Sequence, residues 1–173
     1  MMKTAKEIGI AGVFVALLIG AQFVFSFVAG VELVTVLTVS YCFYFGVKRG
    51  LITMVAYSLI RCFVFGFSPQ VIVLYLVFYC LIALFFGLLG KKLGTAFSVK
   101  NLIIIVVVAV TSTCLFTLLD DIIYPLMVGM SANGFKVYFI ASIPIMLTQA
   151  ICTLVTVPLL FYPLIKLYKT VKI

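Results

Sequence analysis

One arginine, one glutamate in a short link and two adjacent aspartates are the charged side chains of this sequence best placed to do chemistry. Arg61 lies within the run MVAYSLIRCFVF, residues 54–65, where no other residue is charged. Counted at 1.5 Å per residue from the basic pair Lys48 and Arg49, it stands about 18 Å into a hydrocarbon core about 30 Å thick. A charge at that depth is costly. It must meet a ligand inside a helix bundle, pair with a structural acid, or snorkel to the headgroups. Thr53, Tyr57 and Arg61 recur every four residues and share a helix face. Thr113, Thr117, Asp120, Asp121 and Tyr124 form a second polar stripe, and Ser142, Gln149 and Thr153 a third. Glu32, Tyr57, Arg61, Thr117, Asp121, Tyr124 and Gln149 are therefore the expected substrate-binding set. They suit a water-soluble organic molecule with some aromatic surface. Tyr75 and Tyr79, also four apart, read as packing residues.

Several chemistries are excluded. Histidine is absent, and Cys42, Cys62, Cys80, Cys114 and Cys152 stand singly without a CxxC spacing. No zinc or thiol-redox centre is expected, and nothing in the sequence requires a cofactor. A membrane enzyme would have to rely on Asp120 and Asp121, but neighbouring acids at a helix end read first as a solvated rim or lid anchor. A small membrane scaffold is a further alternative, though it leaves Arg61 without a role. No G-x-x-x-x-G-K-[ST] phosphate loop is present, so the chain cannot hydrolyse ATP by that route.

The elements that must position these residues follow from composition. The 173-residue chain is 66% hydrophobic and 9% charged, with a mean hydropathy of +1.43. That much apolar surface cannot be hidden in a soluble domain, so an integral membrane protein is expected. The pattern predicts an all-α bundle of six transmembrane helices forming one domain, residues 1–173. The spans are expected at 8–27, 34–45, 51–67, 71–89, 102–119 and 136–160. The first reads as a retained span, being too long for a signal-peptide core. Gly46-Val47-Lys48-Arg49-Gly50 reads as a tight turn, and residues 125–135 as the longest link on the far side, a lid or a solvated connection. Pro144 is expected to kink the last span.

The net charge of +8 could point to nucleic acid, but its placement argues otherwise. With six spans, Lys3, Lys6, Lys48, Arg49, Lys91, Lys92, Lys100, Lys166, Lys169 and Lys172 share one side and only Lys136 lies opposite. That bias predicts cytoplasmic termini. Glu32, Asp120, Asp121 and Arg61 then gather in the outer half, as an outward-facing cup. A cup without a motor implies a partner. Gly12, Ala16 and Gly20, four apart on the first span, form a small-residue ridge on which another helix could dock.

Length, span number, orientation, the helix-1 ridge and the glycine-flanked basic turn together resemble the S components of energy-coupling factor (ECF) vitamin transporters. The likeness covers the full chain. It implies a high-affinity substrate-binding subunit, not an enzyme, in the cell membrane of a prokaryote. It further implies docking through Gly12, Ala16 and Gly20 onto a transmembrane coupling protein attached to two ATPases. By position, residues 28–33 would be the gate over a vitamin or related micronutrient. The run Val31-Glu32-Leu33-Val34-Thr35 is similar to that of members linked to cobalamin uptake.

Overall fold

The computed structural model describes residues 5–28, 30–96 and 98–170, with Gln70 described by its backbone alone. Lys3 and Lys172 of the charge pattern, and Ala29 of the expected gate, lie outside the described residues. The protein is all-α, as its hydropathy pattern predicts. Its helices are α1 (Ala5–Phe25), α2 (Val34–Phe65), α3 (Pro69–Leu93), α4 (Val99–Val128) and α5 (Ala132–Thr170). Four of them, α1, α3, α4 and α5, are long and apolar enough to cross a membrane.

Two expected breaks differ from the structure. The turn at residues 46–50 is a corner within α2, made by Gly46 alone at φ 78° and ψ 177°. Glycine adopts that backbone without a Cβ penalty, so the chain changes direction without a loop and leaves helical segments 34–45 and 47–65. The expected link at residues 125–135 shrinks to Gly129, Met130 and Ser131. Pro125 is buried inside α4 and does not end it. The helix stops at Gly129, which is left-handed at φ 69°, and the Met130 N–H bonds back to the Pro125 carbonyl at 3.0 Å. Pro144 likewise sits inside α5, together with Pro158 and Pro163.

Small polar side chains are buried within an apolar core that includes Leu18, Met54, Phe86 and Phe161, while large apolar side chains also cover the outer surface. Thr38, Ser40, Thr53, Ser58, Thr113, Thr117 and Thr153 are buried, while Val13, Phe63 and Phe27 are 73%, 76% and 79% exposed. In water this arrangement would be ruinous, but against lipid tails it leaves the small polar groups to hydrogen-bond between helices. Thr53 donates to the Tyr41 hydroxyl at 3.1 Å, and Thr113 and Thr153 lie 3.1 Å apart across α4 and α5. Tyr41 also stacks on Phe14 with ring centroids 4.1 Å apart, joining α1 to α2.

The Gly46 corner is braced by direct backbone contact. A Cβ on Gly90 would stand 2.0 Å from the Phe43 carbonyl oxygen, and one on Gly87 would stand 2.6 Å from the Val47 nitrogen. Only glycine lets α3 pass this close. Beside the corner, Arg49 forms an ion pair with Glu7 near the start of α1. Lys169 Nζ donates to the Thr95 carbonyl at 3.2 Å, and the Ser98 N–H donates to the Tyr162 hydroxyl at 3.1 Å. The start of α1, the corner, the α3–α4 connection and the end of α5 thus form one basic end. A cavity of about 710 Å³, lined by Glu7, Lys48, Arg49, Lys91 and Thr95, opens at this end, and two further polar cavities lie at the other.

Candidate functional site

Gln22, near the C-terminal end of α1, is the hub of the polar end. Its Oε1 accepts from the Tyr57 hydroxyl at 2.7 Å and from Arg61 Nε at 3.0 Å, and its Nε2 donates to the Tyr75 hydroxyl at 3.1 Å. One side chain therefore ties α1 to both α2 and α3. The Arg61 guanidinium carbon stands 3.8 Å from the Tyr75 ring centroid and 4.9 Å from that of Phe65, within cation–π range of both. Its two terminal nitrogens have no protein partner among the described residues.

Arg61 lines a cavity of about 360 Å³, together with Gln22, Glu32, Tyr75, Tyr79, Phe116 and Gln149. The link between α1 and α2 covers it. There the Glu32 N–H donates to Cys152 Sγ at 3.3 Å, and the Cys152 thiol donates to the Glu32 carbonyl at 3.4 Å. Gly30, at φ 82°, lies so close to α5 that a Cβ would come within 2.5 Å of the Thr148 side chain. Thr35 donates to Glu32 Oε1 at 3.0 Å. Burial pushes the Glu32 carboxyl above the usual carboxylate range, and the Thr35 hydrogen bond offsets part of that shift.

A second cavity, about 230 Å³, adjoins the first and shares Phe116, Ile145 and Gln149 with it. Thr117, Asp120, Asp121, Tyr138 and Ser142 complete its wall. Thr117 donates to Gln149 Oε1 at 2.6 Å, and Ser142 donates to Asp121 Oδ2 at 2.5 Å. Asp120 accepts no hydrogen bond among the described residues.

Of the residues expected to bind substrate, Glu32, Arg61 and Gln149 line the larger cavity, and Thr117, Asp121 and Gln149 line the smaller. Tyr57 is fully buried behind them, with its ring 5.1 Å from that of Tyr79 and its hydroxyl on Gln22. Tyr124 stacks on Tyr138, with centroids 5.5 Å apart, and lines neither cavity. Sequence reasoning passed over Gln22, although a lone amide in an otherwise apolar first span was a usable signal. It also read Tyr75 and Tyr79 as packing, where both rings form cavity wall. No group of three or more metal-ligating side chains occurs among the described residues.

The Gly12, Ala16 and Gly20 ridge lies away from this site. Cβ atoms added at Gly12 and Gly20 would meet nothing within 4 Å. The ridge floors an open apolar groove of about 560 Å³, walled by Ile60 and Val64 of α2.

The fold and site define an all-α bundle with four helices long and apolar enough to cross a membrane and two adjoining polar cavities at one end. Comparisons of the chain with protein families, curated proteins and solved structures found no match.

Proposed function

We propose that this chain is the substrate-binding S component of an ECF-type transporter, taking up a vitamin or related micronutrient across a prokaryotic cell membrane. The observation that carries the reading is Arg61, a charge on an apolar helix, held by Gln22 and turned into a cavity with its terminal nitrogens unpaired. A structural arginine would be matched by a carboxylate, and none lies within ion-pair distance among the described residues. In this reading the chain acts by binding and not as an enzyme.

In this reading the bundle crosses the membrane six times, the two segments of α2 each making one crossing, and both termini are cytoplasmic. The basic end then faces the cytoplasm and the cavity faces outward, with residues 28–33 as its gate. The outward-facing ridge on α1 takes the transmembrane coupling protein, which carries the two ATPases. Cavities of about 360 and 230 Å³ suit a ligand much smaller than a corrinoid, so the likeness to cobalamin-linked members gains no support.

The test separates binding from coupling. Ala16→Trp, or Gly12→Leu with Gly20→Leu, should leave any co-purified small molecule in place by native mass spectrometry. Co-purification with a coupling protein and its ATPases should collapse, and uptake with it. Loss of the small molecule with the complex intact would overturn the docking assignment.

A further inference from the structure

We infer that the ligand is amphoteric, with a carboxylate or phosphate on Arg61, a cationic nitrogen at Asp120 and a flat apolar middle against Phe116. The inference rests on the binding-subunit reading and narrows its substrate class. Arg61 is poised for a planar anion. Tyr75 and Phe65 lie against its guanidinium and Gln22 takes Nε, which leaves the two terminal nitrogens as a free fork. Such a fork matches two oxygens of one anionic group.

The opposite lobe carries the opposite charge. Asp121 is engaged by Ser142, whereas Asp120 has no hydrogen-bond donor among the described residues and lines the same lobe. A ligand bearing only an anion would leave Asp120 in the adjoining cavity without a counter-charge. A ligand bearing only a cation would leave Arg61 in that position. Phe116, Ile145 and Gln149 line both cavities, so the Arg61 and Asp120 sites lie side by side with an aromatic ring and an amide between them.

Three para-substituted benzenes that carry both charged groups or only one test this on the purified full chain in lipid nanodiscs. They are 4-(aminomethyl)benzoate, 4-methylbenzoate and 4-methylbenzylamine. The first should bind at least about tenfold more tightly than either single-charge analogue, each lost contact being a charge-assisted one. Asp120→Asn should erase its advantage over 4-methylbenzoate. Arg61→Gln should erase its advantage over 4-methylbenzylamine. Arg61→Lys, which keeps the charge but not the fork, should weaken it less while remaining folded. In parallel, the small molecule released by denaturing the protein purified from its own membranes is identified by mass spectrometry. A released molecule lacking either charge, or equal binding of a single-charge probe, would overturn the amphoteric assignment and leave the binding reading standing. An amphoteric released molecule supports the assignment even if these short probes bind weakly. No released molecule and no probe binding would remove both.

Discussion

Arg61 and Gln22 are joined by a hydrogen bond of 3.0 Å that couples the charge on α2 to an amide on α1. The same amide oxygen accepts from Tyr57. Replacing Gln22 by leucine keeps the volume and removes the acceptor for two donors at once. Each buried group left unsatisfied costs about 1–3 kcal/mol. Gln22→Leu should therefore lower the melting temperature in detergent and weaken small-molecule binding together. Gln22→Glu should retain the stability, because it keeps the acceptor, but weaken binding, because its charge competes with an anion on Arg61. Equal stability of wild type and Gln22→Leu would count against the hub.

Glu32 sets a pH dependence with a defined sign. Its carboxyl is raised from an ordinary value of 4.5 by burial, so the folded chain holds the proton more tightly than the unfolded one. The stability it contributes is full below pH 4.5 and falls as the pH climbs through the raised value. Thermal unfolding followed against pH should show that decline in wild type and a flatter curve in Glu32→Gln. A wild-type melting temperature that rises over the same window would contradict the shift.

The corner at Gly46 is expected to be intolerant where α3 touches it. Gly90→Ala would drive a methyl group into the Phe43 carbonyl, and overpacking of this kind costs about 1–3 kcal/mol. Thr38 makes the opposite case, since its hydroxyl is fully buried and has no hydrogen-bond partner among the described residues. Thr38→Val should be neutral or stabilising by up to about 1 kcal/mol. Thermal melts of the two variants in the same detergent check both signs.

Orientation is open to direct measurement. In variants carrying a single cysteine, a membrane-impermeant maleimide should label residue 131 in whole cells. It should label residue 98 only after permeabilisation. The reverse pattern would turn the cavity toward the cytoplasm and sink the uptake reading.

Much of this architecture was legible in the sequence, because lipid imposes simple rules on helix length and polarity. The long apolar helices and the inward polar stripes, Thr113 and Thr117 among them, follow from hydropathy and a period of 3.6. What was hidden depends on three-dimensional support. Gly46 reads as one residue of a turn, yet only the close approach of Gly87 and Gly90 makes it a corner without a loop. Pro125 reads as a helix end, yet burial carries α4 past it to Gly129. Tyr124 and Tyr57 sit on the right stripes, but periodicity gives a direction and not a distance, and neighbours intervene before either reaches the cavity.

The first segment of α2 carries a last consequence. Residues 34–45 span only about 18 Å, whereas α1 beside them runs about 31 Å. The link bearing Glu32 therefore descends from the end of α1 to the lower start of α2, where the Glu32 N–H and carbonyl both pair with the Cys152 thiol. Placed in a bilayer, the floor of the well lies part-way through the low-dielectric slab, where the transmembrane voltage drops. Charge entering it crosses a fraction of that voltage, and a full crossing is worth about 2.3 kcal/mol per 100 mV. A ligand whose two charges balance enters without net electrical work, whereas a singly charged one does not, so membrane polarisation itself would discriminate between them.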